Sequence, residues 1–539
     1  MQPAQRRSSR GTLASCGIDR WRPATATLLH VVLGLGLTAQ AACHRGDPGR
    51  GAPRGAQPRA ATDSDVLTFH HHINRDGFYV DRALTIAAAA TMHIDRAFAG
   101  ALPGDVYAQP LYVEHGPGGV GALYVATESN DVVALDERGR PLWTRNLGPP
   151  AQQAGTGCGN ISPLGVTGTP AIDRDRRLLV LSAATGDARG DVAAHTIHAL
   201  SIDDGSERWR LDVSTMRDQF DRSFAPQPQN DRGAVLVVGG TAYVAYGGGA
   251  YDCGSFRGWI VGVPLTNPAG ARAYATKAQG AGFWGCGGPS SDGSAVFAVS
   301  GNATESGDEW RGSEAVFRLG PGPTFSGASA DVFVPANWKS LDRHDLDLGA
   351  SGLLVIDAPA MTPAALVLAA GKDGQVVLLD RTNLGGVGAA PLAAERVLNG
   401  AFIGAGAFAT IRGDTYVVLH GYRGATGLVC PRGTGGDLLA LRLDPSAPNK
   451  MRTVWCAESG GLGSPILTTS DGTADGLVWS AGAEDSGRLR AWELATGRLV
   501  FAGGSATDVL SNLHRYATPI ATRGRLYVAG DRRLYAFEP

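Results

Sequence analysis

Leu123-Tyr124-Val125-Ala126-Thr127, Ser129-Asn130-Asp131, Val132-Val133-Ala134-Leu135-Asp136, Gly139 and Pro141-Leu142-Trp143 follow one another in a single short stretch. Two apolar runs of strand length enclose a polar turn. Asp136 and Gly139 close a second turn, and Trp143 caps a third strand. The same unit returns at Leu178 to Trp209, Ala242 to Val263, Val296 to Leu319 and Leu366 to Asp380. It recurs at Tyr416 to Trp455, Leu477 to Phe501 and Leu526 to Phe537. Each copy is preceded by one more short strand, often opening on a small or polar residue and Pro: Gln109-Pro110, Thr169-Pro170, Gly288-Pro289, Ser464-Pro465, Thr518-Pro519. Proline suits the first residue of a strand. Gly233, Ser351 and Gly404 mark the starts of the less regular copies.

Eight copies of a four-stranded unit predict an all-β fold, an eight-bladed β-propeller of antiparallel blades. Isolated blades cannot bury their faces, whereas stacking around an axis does so. Successive starts are roughly 53 to 63 residues apart, longer than a minimal blade, so insertions fall in loops. The last copy ends before an outer strand. An early segment, such as Val66-Leu67-Thr68-Phe69, is expected to supply it and close the ring. Asp81 to Phe98 is the best candidate for a helix.

The 539 residues carry a net charge of −2 and 18% charged residues, which gives no reason to expect nucleic-acid binding. The 76 glycines and 30 prolines suit many tight connections. Residues 1–42 read as a signal peptide, with a basic start (Arg6, Arg7, Arg10, Arg20, Arg22) and an apolar run from Thr27 to Thr38. Two processing patterns overlap: Ala39-Gln40-Ala41 fits small-x-small cleavage, and Ala41-Ala42-Cys43 resembles a lipoprotein box with Cys43 as lipid anchor. A Gly/Pro/Arg-rich tether, residues 43–61, follows and favours the anchor. The propeller is expected over 62–539, without a transmembrane helix in the mature chain. Export to the periplasm or envelope permits disulfides. Cys430 with Cys456, and Cys253 with Cys286, are the expected pairs. No Cys-x-x-Cys-His occurs, so no attached haem is expected. His70-His71-His72 reads as a surface tract, because adjacent side chains on a strand alternate direction.

The blade turn Ala-Leu-Asp…Gly…Leu-Trp resembles the repeat of quinoprotein dehydrogenases, alcohol-oxidising enzymes that carry pyrroloquinoline quinone (PQQ). The resemblance is strongest from Trp284 to Thr382, through His344-Asp345-Leu346-Asp347 and Lys372-Asp373-Gly374…Leu379-Asp380-Arg381-Thr382. Val66-Leu67-Thr68-Phe69-His70 and Val106-Tyr107-Ala108-Gln109-Pro110 resemble exported bacterial PQQ-binding-like repeat proteins. The resemblance implies Trp284 beneath a quinone plane, Lys372 on its oxygens, Asn302 as a ligand of Ca²⁺, and Asp345 as the catalytic acid-base. Asp252 is the acid nearest the family's second metal ligand, and Cys158 stands where the family has adjacent cysteines. Tyr107 replaces an early acid. Each residue is also an ordinary blade residue: Trp packs, Asn follows Gly in turns, and Lys-Asp-Gly makes hairpins. Two functions are therefore expected to compete. One is a PQQ- and Ca²⁺-dependent dehydrogenase of small alcohols that passes electrons to a separate acceptor. The other is a non-catalytic propeller binding a protein, peptide or glycan at the cell envelope.

Overall fold

Short apolar runs with a polar residue at each end form strands here because both faces find a neighbour. Ala122–Ala126 is buried at every position, and Asp131–Asp136 is buried between its terminal aspartates. Their register, Leu123 opposite Leu135 and Val125 opposite Val133, sets apolar pairs side by side. The outer strand Pro141–Asn146 is largely exposed, as befits a rim.

The computed structural model describes residues 64–152, 159–249, 252–305 and 307–539. The leader, the tether, Cys43 and Cys158 lie outside the described residues. Eight four-stranded blades follow in chain order. Their innermost strands are Leu111–Val113, Ala171–Asp173, Leu236–Val238, Ser290–Ser291, Leu353–Asp357, Ala407–Ile411, Ile466–Thr469 and Ile520–Thr522. We number the blades 1 to 8 in that order. Neighbouring blades share apolar layers. One layer, for example, joins Leu111 and Val132 of blade 1 to Leu179 and Leu200 of blade 2. Indole groups fasten the rim: Trp143 donates to the Ile202 carbonyl at 3.0 Å, Trp209 to Leu265 at 3.1 Å and Trp455 to Leu494 at 2.7 Å. Each therefore reaches the next blade. Gly205 (φ +67°) lies flat on Trp143, where a Cβ would stand 2.7 Å from the ring.

The ring is closed by an N-terminal strand, as expected, but not by Val66–Phe69. His93–Ile94 pairs with Arg533–Glu538 of blade 8 and completes it. The earlier segment does something else. It winds once around the inside of the ring. Ser64 accepts from Thr522 (blade 8), Val66 pairs with Tyr112 (blade 1), and Leu67 accepts from Ile172 (blade 2). Ile73, Asn74, Asp76 and Gly77 then accept from Ser291, Val355, Phe408 and Leu467 of blades 4 to 7. Asp81 returns to blade 8 at Gly524, 2.6 Å away. Blade 3 is held by Arg75, which is 1% exposed. Its guanidinium donates to the carbonyls of Val235, Pro289 and Phe69 and to the Thr68 hydroxyl, at 2.7–3.1 Å.

This winding corrects the surface reading of the histidine tract. His70 is fully buried, stacked on Phe69 at 4.2 Å, and neither ring nitrogen has a hydrogen-bond partner. Burial lowers its pKa to about 4, so it is neutral. His71 stacks on Tyr79, and His72 pairs with Asp76 at 2.9 Å. The segment makes no straight strand here, because His70, His71, Arg75 and Gly77 all take positive φ. The helix expected across Asp81–Phe98 shrinks to one turn, α1 (Ile86–Ala90), capped by Thr85.

Cys430 and Cys456 form the expected disulfide. The Cys253–Cys286 pairing does not occur: Cys253 is disulfide-bonded, but Cys286 is a free, buried thiol. Burial pushes that thiol up to about 12, so it is inert at neutral pH. The loop closed by Cys430 and Cys456 spans a sequence separation of 26. Replacing both of these cysteines by serine is expected to cost about 3 kcal/mol in equilibrium urea unfolding, chiefly by freeing the unfolded chain.

Candidate functional site

All blades are wound in the same sense. Their second-to-third-strand turns and their blade-to-blade crossings therefore emerge on one face. Asp252 lies in that turn of blade 3, Asn302 in that of blade 4, and Lys372 in that of blade 5. Trp284 lies in the crossing from blade 3 to blade 4. Asp345 and Asp347 lie in the crossing from blade 4 to blade 5, just after α2 (Trp338–His344). The residues singled out by sequence thus meet at one mouth.

Asp345 ends α2 in a left-handed conformation (φ 53°, ψ 46°), which turns the chain out of the helix. Its carboxylate accepts from Lys372 Nζ at 2.7 Å, and its side chain stays 65% exposed. Asp347, 1% exposed, is the hub. It accepts from the Asn302 amide at 2.6 Å, lies 3.5 Å from Trp284 Nε1 and forms an ion pair with Lys372. Its carbonyl also accepts from the Lys372 amide at 2.9 Å. Gly301 makes room for this hub. A Cβ there would stand 2.1 Å from Asp347 Oδ1 and 2.7 Å from Trp284 Nε1.

Two cations lie over the indole of Trp284: Lys372 Nζ at 5.1 Å from the ring centroid and Arg232 Cζ at 5.7 Å. Arg232 donates to the Gly248 carbonyl at 3.2 Å, while its buried Nε has no partner. Burial opposes the charge of Lys372, but Asp347 and Asp345 outweigh it and raise its pKa. Burial raises Asp345, with Asp347's charge adding to it against the pull of Lys372. Asp252 is raised by burial and then by Asp347. Lys372, Arg232 and a hydrogen bond from the Asn302 side chain act in the other direction. Glu314 is fully buried behind the hub. Its Oε2 accepts from the Leu348 amide at 2.6 Å and its Oε1 has no partner. Burial, reinforced by Asp347, holds this carboxyl well above the usual range.

Nothing in the sequence marks Asp347, Arg232 or Glu314 as site residues. Asp347 is one of two acids in a single loop, and only its burial against Trp284 and Asn302 separates it from Asp345. Arg232 follows a turn-like Asn-Asp pair, which carries no signal for its position on the indole. Tyr107 lies across the mouth, stacked on His514 at 4.1 Å.

The donor set suits a planar anion with a hard cation. An indole face, two cations, an unpartnered guanidinium Nε and the oxygens of Asn302 and Asp252 match a polycarboxylated quinone and a divalent ion in kind.

Residues 105–304 match the family model described as outer membrane protein assembly factor BamB. The match includes Asp252, Trp284 and Asn302 and stops short of Asp345 and Lys372. A quinohemoprotein alcohol dehydrogenase from Comamonas testosteroni has a similar fold. Its TM-score is 0.56 at 15% identity, over 89% of this chain and 81% of that one. A europium-containing methanol dehydrogenase gives 0.59 at 13% identity, over 88% and 98%. A quinohemoprotein alcohol dehydrogenase from Pseudomonas putida HK5 gives 0.58 at 12% identity, over 88% and 80%. The family-model match and the shared fold make the chain similar to PQQ-binding-like propellers. At these identities the likeness to the enzymes is one of fold. None of the curated protein sequences matches. Among the described residues of this propeller, no helix is long and apolar enough to cross a membrane.

Glu128 lies in the same mouth, in the second-to-third-strand turn of blade 1. It is 1% exposed, its Oε2 accepts from the Gly165 amide at 2.8 Å, and its Oε1 has no partner. Burial raises its pKa from 4.5 to about 7. Between those values the folded state holds a proton that the unfolded state has lost. Stability therefore falls as pH rises from about 4.5 to about 7 and stays lower above it. Glu128→Gln keeps the acceptor and removes the ionisation. Thermal unfolding should show the variant gaining stability over wild type by about 3 kcal/mol at pH 8 and little at pH 4.5.

Proposed function

We propose that the chain is an exported propeller that binds PQQ with a divalent cation such as Ca²⁺ at its mouth and oxidises small alcohols, passing electrons to a separate acceptor. The observation that carries this reading is the convergence of Trp284, Lys372, Asn302 and Asp345 from three consecutive blades around the Asp347 hub. When bound, PQQ would supply a hydride-accepting quinone that the cation polarises. The chain's own residues do the rest. Trp284 offers a flat face that excludes water from one side of the ring. Lys372 and Arg232 neutralise anionic oxygens, and Asn302 and Asp252 offer oxygen ligands to the metal. Asp345, exposed and held above its ordinary pKa, would take the alcohol proton.

A second reading is a non-catalytic envelope scaffold that binds a protein, peptide or glycan at the same mouth. Two observations favour it. The family model matched over residues 105–304 is described as an assembly factor. Lys372 is already committed to both Asp345 and Asp347. The deciding experiment is titration of the purified protein with PQQ and Ca²⁺, followed by indole fluorescence and by dye-linked alcohol oxidation. Saturable binding with turnover supports the enzyme. Absence of saturable binding sinks it, and binding without turnover leaves the scaffold.

A further inference from the structure

A second cluster of metal-ligand types lies at the seam where the ring closes. Asp105 precedes the first strand of blade 1, His514 lies in the crossing from blade 7 to blade 8, and Asp531 lies in the second-to-third-strand turn of blade 8. One ligand atom from each falls within 4.8 Å of the other two. His514 Nε2 is 2.6 Å from Asp531 Oδ1. Both atoms are shielded from solvent, an imidazole nitrogen facing a carboxylate oxygen. The imidazole is held in orientation by the Tyr107 ring, stacked at 4.1 Å and 11°.

The backbone around the cluster is fixed. Arg532 donates to the Gly104 carbonyl at 3.0 Å and Asp531 to the Asn512 carbonyl at 3.2 Å. Glu128 donates its amide to the Asp105 carbonyl at 2.9 Å. The Glu128 side chain is almost wholly buried, and its Oε1 has no partner. The charge of Asp105 acts on it and helps to raise its pKa. Two carboxyls, those of Asp105 and Asp531, thus gather beside one imidazole. Arg533, the first residue of the strand after the turn, is turned onto the Tyr535 ring and the Phe98 carbonyl.

We propose that Asp105, His514 and Asp531 bind a divalent first-row transition-metal ion that clasps the first blade to the last. One imidazole and two carboxylates form a mixed nitrogen–oxygen set that suits Zn²⁺ or Mn²⁺ better than a soft ion. The three ligands come from separate segments, and the first lies at the opposite end of the propeller sequence from the other two. Binding therefore acts on the closed ring and stabilises it by mass action. Three protein ligands also leave coordination positions open toward the mouth. The site is separate from Asn302 and Asp252 and does not depend on PQQ.

The test uses the purified protein stripped with a chelator and dialysed, with no PQQ present. Zn²⁺ is titrated calorimetrically, and Mn²⁺ is added for electron paramagnetic resonance. The expected result is one ion per chain whose binding survives Asp252→Asn and raises the unfolding temperature. Its Mn²⁺ spectrum should show coupling to an imidazole nitrogen. Affinity should fall at least tenfold in Asp531→Asn and in His514→Gln, and the nitrogen coupling should vanish in the latter. Because either variant alone can perturb the seam, Asp105→Asn provides a third, partly exposed position. The proposal is overturned if the stripped protein binds no ion, if the ion is lost on Asp252→Asn, or if all three seam variants bind as tightly as wild type.

Discussion

Arg75→Ala is expected to lower the stability of the propeller by about 4–5 kcal/mol, among the largest losses a single substitution can cause. Arg75 is among the largest fully buried side chains. Its five hydrogen bonds go to three carbonyls and a hydroxyl in the interior. Each acceptor left dry costs about 1–3 kcal/mol, partly relieved where water enters the new cavity. Burial lowers the guanidinium pKa to about 9, which still leaves it charged at neutral pH. Arg75→Lys should recover only part of the loss, because one ammonium cannot serve acceptors spread over the planar fork. Equilibrium unfolding in urea measures both. A change below about 1 kcal/mol for Arg75→Ala would show that the inner winding adds little to the ring.

The second large effect is on the proposed turnover. With PQQ and Ca²⁺ added, Asp345→Asn is expected to cut kcat for alcohol oxidation by about 10²–10⁴-fold, the ordinary worth of a positioned general base. Cofactor affinity should change far less. Trp284, Arg232 and Asn302 remain in place, and Lys372 keeps its ion pair with Asp347. The split matters: a drop in kcat at constant affinity identifies a proton-handling group, whereas a parallel loss of binding would make Asp345 a positioning residue. Turnover unchanged in Asp345→Asn would remove Asp345 from the chemistry altogether.

The eight blades are legible in the sequence because their signal is local. Alternating apolar runs, a polar turn and a terminal Trp mark the clearest copies, and the contacts they imply lie within one hairpin. Ring closure is less legible. His93–Ile94 is a two-residue strand whose partner lies at the far end of the chain, and two residues have no period. The winding from Ser64 to Asp81 is illegible for another reason. Its hydrogen bonds go to each blade in turn, and its own backbone takes positive φ at His70, His71 and Arg75, residue types that do not advertise it. In the site, Trp284, Asn302, Asp345 and Lys372 could be singled out through the resemblance of their surrounding motifs. Asp347 could not be ranked above Asp345, since its partners Asn302 and Trp284 lie well upstream and only folding brings them together.

The same winding bears on the order in which the molecule can be made. Residues 64–81 leave the ribosome before any blade, yet their acceptors and donors include Leu467, Thr522 and Gly524 near the other terminus. They cannot settle until synthesis is nearly complete. The early blades must stay open on their inner side for that whole interval, and the final step of assembly draws the oldest part of the chain into a nearly finished ring. Such long-range closure is intrinsically slow.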